Sequence, residues 1–222
     1  MNTLDPRLRQ SLFIAGTDTG VGKTWIATRL LQALVALGYR ASGMKPVAAG
    51  AVDTPAGLRN DDALLLAAAG NVVVPYETLN PYCLRQATSP HIAAAEAGLS
   101  IDRVEIRTKF AQIASTSDFV VVEGAGGWLA PIGDPPQSGQ AGPTMADIAE
   151  ALGLPVLLVV GMRLGCISHA LLTADAIRAR QLTLAGWIAN PIDPGLMPGS
   201  AGFSAYVDSL DRRLPAPRLQ LL

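Results

Sequence analysis

Lys23 and Thr24 stand behind a glycine-rich turn in the stretch from Leu12 to Lys23, within the run SLFIAGTDTGVGKT. An apolar run stops at Gly16, a turn rich in Gly and Thr follows, and Gly22-Lys23-Thr24 opens a helical pattern. A turn of this kind points its backbone N–H groups inward, and the helix start adds partial positive charge, so together they hold phosphate. Lys23 then reaches the outer phosphates and the Thr24 hydroxyl can hold Mg²⁺. The strict spacing asks for glycine where Thr17 stands; Gly16 lies one residue further back, so the loop is one residue longer.

Other residues could join this chemistry. Glu123 follows three valines and precedes Gly124-Ala125-Gly126-Gly127, so a carboxylate at a strand end faces room for phosphate and metal. Asp61 and Asp62 open a helix, where one can cap and the other reach a metal; spacing alone does not separate them. Lys45 ends an apolar run before Pro46 and reads as a point charge aimed at the site. Asn190 could bond a base edge or serve only as a turn residue. His91 and His169 read as structural, and no Ser-His-Asp set is assignable. Cys166 lacks an activating base.

These side chains need a scaffold. Residues 25–37 repeat apolar positions at helical spacing before Gly38. Residues 40–47 read as a second strand, 48–60 as a loop, and 61–69 as a helix ended by Gly70. The run 72–74 is short and apolar, and 75–90, with three prolines, reads as irregular. Helices are expected at 91–97 and after Ser100, a strand at 118–122, and a flexible loop at 131–143. Thr144 caps a helix over 145–152, with Asp147 in its first turn. A strand at 155–160, a helix at 167–180, a strand at 182–189 and a helix at 200–214 complete the chain. The alternation predicts an α/β fold of the P-loop NTPase type, a mostly parallel sheet with helices on both faces, as one domain over 1–222 with 1–10 flexible. In such a sheet ligands sit beyond the carboxyl ends of the strands, where the phosphate loop, Lys45, Glu123 and Asn190 would converge.

Composition agrees with this. Of 222 residues, 50% are hydrophobic, which supplies a sizeable core. Charged residues make up 16% and the net charge is −1, so there is no electrostatic footprint for nucleic acid or an anionic membrane. No apolar run spans a bilayer and residues 1–10 do not read as a signal peptide. Cys83 and Cys166 form no metal-spaced pair and read as reduced thiols of a cytoplasmic protein.

Taken together, GTDTGVGKT, GMKPVAAG, GLRNDDAL, NPY, TSPHIAA, VVVEGAGGW, LPVLLVVGMRLGCISHALLT and LTLAGWIAN resemble dethiobiotin synthetase, the family that closes the ureido ring in biotin synthesis. The resemblance runs from residue 12 to about 214 and implies a ligase that uses ATP and CO₂ on diaminopelargonate with Mg²⁺. It implies that Gly20, Val21, Gly22, Lys23, Thr24 and Trp25 wrap the ATP phosphates, and that Glu123, Gly124, Ala125 and Gly126 line the nucleotide. Asn190 and Pro191 would sit at adenine, and Thr24, Asp62 and Glu123 would hold Mg²⁺, which separates Asp62 from Asp61. Lys45 matches the family's active-site lysine and acts with Lys23 as the catalytic pair. Thr19, Lys45 and Ala49 would contact substrate. In the implied homodimer, Leu164, Gly165, Cys166 and Ile167 of one subunit would receive the substrate carboxylate bound mainly by the other.

The chain departs from the family at Ala49, where Ser is usual, which removes one hydrogen bond worth about 0.5–1.5 kcal/mol. Members usually continue past residues 214–217 with a segment that covers adenine, so a loosely held base is expected here. The loop 133–143 also looks longer than usual. The rivals are weaker: an amidating ligase needs an ammonia source, a switch ATPase carries an extra lysine where Thr17, Asp18 and Thr19 stand, and a binding module without turnover has no need of Lys23, Thr24 and Glu123 together.

Overall fold

The computed structural model describes residues 4–136, 139 and 141–221. Along the chain run β1 (Leu12–Gly16), α1 (Lys23–Ala36), β2 (Ala41–Met44), β3 (Val47–Ala49), β4 (Val52–Thr54), β5 (Gly57–Arg59), α2 (Asp61–Ala69), α3 (Tyr76–Leu79), β6 (Tyr82–Leu84) and α4 (Pro90–Glu96). They are followed by α5 (Arg103–Ala114), β7 (Phe119–Glu123), α6 (Met145–Leu152), β8 (Val156–Met162), α7 (Cys166–Ala179), β9 (Leu184–Pro191) and α8 (Ala201–Asp211).

Five strands form a parallel sheet in the order β2-β7-β1-β8-β9. Successive side chains of a strand point to opposite faces, and here both faces are covered. Leu12, Ile14, Val121, Leu157 and Val159 meet α1 and α2 through Ile26, Leu30, Leu34 and Leu66. Phe13, Val120, Val122, Leu158 and Val160 meet the opposite layer, with Ile106 and Ile113 of α5, Ile148 of α6 and Ile177 of α7. That double coverage is why the strands read as continuous apolar runs. β1 lies at the centre, so the loop after Gly16 opens at the middle of the carboxyl edge.

Several local expectations change. The second strand stops at Met44 instead of running to Val47, because Pro46 has no N–H for a ladder. Residues 47–49 leave the sheet and pair in parallel with Tyr82–Leu84, inside the stretch expected to be irregular. The loop expected over 48–60 contains the antiparallel hairpin β4–β5. The cap of α5 is Asp102, whose carboxylate accepts from the Val104 N–H, and Ser100 takes no part in it. Thr144 and Asp147 join as expected: the Thr144 N–H and hydroxyl both donate to Asp147 Oδ2, at 2.7 and 2.8 Å.

The expectation of a flexible arm over residues 1–10 is corrected for residues 4–10. Leu4 and Leu8 are fully buried beside Leu12, and Asp5 caps a short 3₁₀ turn at Pro6–Leu8. The other end of the chain packs too: the Trp187 N–H donates to Pro217 O at 3.0 Å and the Leu219 N–H to Trp187 O at 2.8 Å, so residues 217–219 flank the β9 edge. Leu219 fills the space above Gly186, where any Cβ would lie 2.4 Å from its Cδ1. Of the expected loop 131–143, residues 137, 138 and 140 lie outside the described residues. No helix among the described residues is long and apolar enough to cross a membrane.

Candidate functional site

The loop between β1 and α1 wraps the start of α1. Gly20 and Gly22 both have positive φ, +72° and +87°, where a side chain is strained. Space alone would also exclude a side chain at Gly22: a Cβ there would lie 2.1 Å from the Asn190 Nδ2. That amide donates to the Val21 carbonyl at 2.8 Å, so Asn190, at the end of β9, braces the loop from outside. Val21 itself is buried. The loop sequence and the last sheet strand are thus fitted to each other.

Beyond the strand ends opens a cavity of about 780 Å³. Thr19, Gly20, Gly22, Lys23 and Thr24 line one side, with Glu123, Ala125 and Gly126 beneath. Lys45, Ala49, Asn60 and Asp62 form the opposite wall, and Ala87, Thr88, Ser89 and Pro90 close it. Of this last segment, sequence reasoning assigns no residue to the site. Its only local signal was a Thr-Ser-Pro ahead of a helix.

Lys45 is the centre of the site. It is 3% exposed, and its ammonium donates to Glu123 Oε1 at 2.6 Å, Asp62 Oδ2 at 2.9 Å and the Gly124 carbonyl at 3.4 Å. Burial pulls its pKa down, but the two carboxylates outweigh that and hold it above the ordinary lysine value. The converse holds at Asp62: burial pushes its carboxyl up, and Lys45, Thr24 and Lys23 together bring it below the ordinary value. Thr24 Oγ1 donates to the same Glu123 Oε1 at 2.8 Å. Glu123 Oε2 is buried with no partner. A buried carboxylate oxygen of that kind, beside a cavity lined by two lysines, is free to take a ligand.

Lys23 lies across the cavity. Its ammonium donates to the Asp18 carbonyl at 3.0 Å, within its own loop. Burial first, then the charge on Lys45, lowers its pKa to about 8. A negative ligand placed between the two lysines would offset both effects with its charge. The Asp18 carboxylate is held below its ordinary value by the Thr19 N–H and by Arg163, whose Nη2 lies 2.5 Å from it.

Other expected residues stand apart from this cavity. Asp61 is exposed, whereas Asp62 faces Lys45, so the fold separates the two aspartates. Trp25 is 56% exposed on the first turn of α1, with Arg29 over its ring. Gly124 packs on Phe13 and offers its carbonyl to Lys45. Leu164, Gly165, Cys166 and Ile167 do not line the cavity. Leu164 is 83% exposed, Cys166 is buried with burial pushing its thiol up, and Gly165 precedes α7 with φ +92°. Beside this turn is an apolar groove of about 400 Å³ lined by Trp128, Leu129, His169 and Leu172. His91 is not among the cavity's lining residues; its Nδ1 sits 3.0 Å from the Oγ of Ser89, which is.

A cation fits the donor set. Asp62 Oδ2 and Glu123 Oε1 are hard oxygen donors that already meet one ammonium, Thr24 Oγ1 bonds the same Glu123 oxygen, and Glu123 Oε2 supplies a fourth. Among the described residues no three or more His, Cys, Asp or Glu side chains cluster as a metal site. Two carboxylates and a hydroxyl suit an ion that arrives with phosphate ligands of its own.

Comparison with known proteins adds the following. A family described as an AAA domain matches over residues 10–214. The ATP-dependent dethiobiotin synthetase BioD of Aromatoleum aromaticum is 51% identical over 93% of this chain and 87% of its own. The BioD of Xanthomonas campestris pv. campestris is 52% identical over 83% of this chain and 79% of its own, and BioD 1 of Escherichia coli O157:H7 is 47% identical over 93% and 87%. Among solved structures, the MinC:MinD cell division protein complex of Aquifex aeolicus matches with TM-score 0.55 at 20% identity, covering 94% of this chain and 79% of that one. A ParA family ATPase from Chlorobium tepidum matches with TM-score 0.50 at 12% identity, covering 95% and 85%. These two share the fold, a mostly parallel sheet of the P-loop kind.

Proposed function

The chain belongs to the ATP-dependent dethiobiotin synthetase family and is a ligase of biotin biosynthesis, and from that premise we propose how its residues carry the reaction. CO₂ adds to one amine of diaminopelargonate, which loses a proton and becomes a carbamate. A carbamate oxygen attacks the γ-phosphorus of ATP, and ADP leaves. The neighbouring amine then attacks the carbon of the carbamic–phosphoric anhydride, closes the ring, and releases phosphate and a proton.

The observation that carries this reading is the pair of lysines across one cavity, Lys23 in the phosphate loop and Lys45 buried between Glu123 and Asp62. Carbamate and triphosphate are both anions, and phosphoryl transfer needs alignment and charge neutralisation more than covalent help. Lys23 and the N–H groups of Gly20 to Thr24 bind the phosphates. Lys45 holds the carbamate side, and its buried position keeps water from competing for that charge. Thr19 and Ala49 face the same cavity as substrate walls, and the Asn60 and Ser89 side chains also line it where Ala49 lacks a hydroxyl. Asn190, whose amide bonds the loop at Val21, and Pro191 after it would seat the base. Thr24, Asp62 and Glu123 would hold Mg²⁺, which when bound neutralises phosphate charge.

The exposed Leu164 and Leu172, with Leu129 beside them, support a homodimer in which the 164–167 turn reaches the partner's substrate site. The two free cysteines fit a cytoplasmic home.

The test is phosphate release from Mg-ATP with and without diaminopelargonate and CO₂, with mass detection of the organic product. Release that requires both, with dethiobiotin formed, is expected. Hydrolysis indifferent to the diamine would refute the assignment. Leu172→Asp is expected to halve the mass seen in sedimentation and to lower turnover with it; an unchanged mass would remove this face from the dimer.

A further inference from the structure

Lys45 stands in a gap. β2 ends at Met44 and β3 starts at Val47, so no ladder holds the backbone of the residue between Met44 and Pro46. Both of its backbone groups are nevertheless paired. The Lys45 N–H donates to Leu79 O at 2.9 Å, and its carbonyl accepts from Asn80 Nδ2 at 2.7 Å. Asn80 is 2% exposed, so this amide is committed to the protein interior.

The chain of bonds continues. Asn80 Oδ1 accepts from the Tyr76 hydroxyl at 3.0 Å. That hydroxyl in turn accepts from the Asn60 N–H at 2.8 Å. Asn60 caps α2, with Oδ1 accepting from the Ala63 N–H at 3.3 Å, and its Nδ2 donates to the Ala49 carbonyl at 3.2 Å. Two residues on is Asp62, whose Oδ2 receives the Lys45 ammonium at 2.9 Å. The path from the Lys45 carbonyl through Asn80, Tyr76 and Asn60 to Asp62 therefore returns to Lys45. Arg59 stacks 4.1 Å over the Tyr76 ring and fixes the phenol's tilt.

We propose that Tyr76 and Asn80 are positioning residues, which set the place of the Lys45 ammonium relative to Asp62 and so align the acceptor side of the cavity. A flexible lysine is a poor catalyst unless its backbone and its carboxylate partner are fixed to one frame. Asn80 ties down the first and Tyr76 the second, and neither side chain lines the cavity. The assignment rests on the reaction proposed above for Lys45. It also accounts for the Asn-Pro-Tyr segment at 80–82, which the catalytic reading left without work. Its Tyr82 faces the other way: the hydroxyl donates to Glu105 Oε2 at 2.7 Å and accepts from the Asp102 N–H at 2.9 Å, at the start of α5.

Tyr82 supplies the matched control. Tyr76→Phe and Tyr82→Phe each delete one phenol oxygen, a few residues apart; each loses one bond donated to a side-chain oxygen and one accepted from a backbone N–H, and Tyr76 also loses a 3.5 Å contact with Cys83 Sγ. Tyr76→Phe is expected to lower kcat about tenfold with the Kd for ATP within about twofold, because the phosphate loop lies outside the ring. Tyr82→Phe is expected to lose comparable stability with kcat unchanged. Asn80→Asp, which keeps an acceptor for Tyr76 but has no donor for Lys45, should behave as Tyr76→Phe.

Amide hydrogen exchange gives a readout independent of turnover. Tyr76→Phe should speed exchange at residues 60–64 and at Lys45, and Tyr82→Phe at 102–106. Near-normal kcat in Tyr76→Phe, or equal kcat losses in both variants, would overturn the proposal. If the wild-type chain formed no dethiobiotin, the reaction would be wrong, and unchanged exchange at Lys45 and 60–64 would remove the relay as well.

Discussion

Replacing Lys45 with methionine keeps much of the side chain's volume and removes its charge. The structure sets the size of the effect. Glu123 is 1% exposed, and the ammonium 2.6 Å from its Oε1 is its only ion-pair partner among the described residues. Oε2 already has none, so after the change one Thr24 hydroxyl would be left for the whole carboxylate. Removing one member of such a pair costs about 3–5 kcal/mol, since the remaining charge stays buried without compensation. Glu123→Gln alone should also destabilise, by leaving the half-exposed Asp62 as the one carboxylate among the described residues that compensates the ammonium's charge.

The double variant Lys45→Met/Glu123→Gln should recover about 2 kcal/mol relative to the sum of the singles. Urea unfolding without nucleotide or metal measures all three, provided the m values agree. In the same proteins, Lys45→Met should reduce turnover by about 10²–10³-fold while ATP still binds, as expected when one charge-stabilising group is lost. A single-variant cost under about 1 kcal/mol, or additivity within about 0.5 kcal/mol, would refute the buried-pair argument. Near-normal turnover would refute the catalytic one.

Gly22→Ala meets both a φ of +87° and the Asn190 amide, so it should weaken ATP binding more than tenfold by calorimetry; Asn190→Ala added to it should relieve only the contact, leaving about 1–2 kcal/mol of left-handed strain. Trp25 is half exposed while Trp128 and Trp187 are buried, so acrylamide quenching should report mainly on Trp25 and be largely lost in Trp25→Phe. For Asp147, burial pushes the carboxyl up, but the Thr144 and Arg180 hydrogen bonds outweigh it and hold it below its ordinary 3.8. Its contribution is therefore present above about pH 4 and lost as pH falls through the depressed folded value. Urea midpoints from pH 7 to pH 2.5 should drop more steeply for wild type than for Asp147→Asn at the acid end, with the variant already weaker at neutral pH; parallel curves would contradict the assignment.

Much of this site was legible from residue order. An apolar run, glycines and Lys-Thr at a helix start are neighbours along the chain, so their joint meaning needs no fold. Three valines before Glu123 placed that carboxylate at a strand end for the same reason. The second strand was misread by three residues because Pro46 cuts the ladder locally while the continuation at 47–49 finds a partner 35 residues on, at 82–84. The hairpin at 52–59 was missed because its strands are three residues each and mostly exposed, too short for a periodic signal.

What residue order determined by itself was the set of groups available: two lysines, three acids (Asp61, Asp62 and Glu123) and a hydroxyl in a parallel α/β frame with phosphate-binding glycines. Tertiary structure alone decided which groups meet. It turned Asp62 and not Asp61 toward Lys45, set Asn190 against the phosphate loop, and closed the ring through Asn80 and Tyr76. Tyr76 and Asn80 are only four residues apart, but the Asp62–Lys45, Asn190–Val21 and Asn80–Lys45 contacts join residues that no local pattern couples. They arise because crossover connections bring separate strand ends to one edge of the sheet, where buried polar groups must find partners in each other.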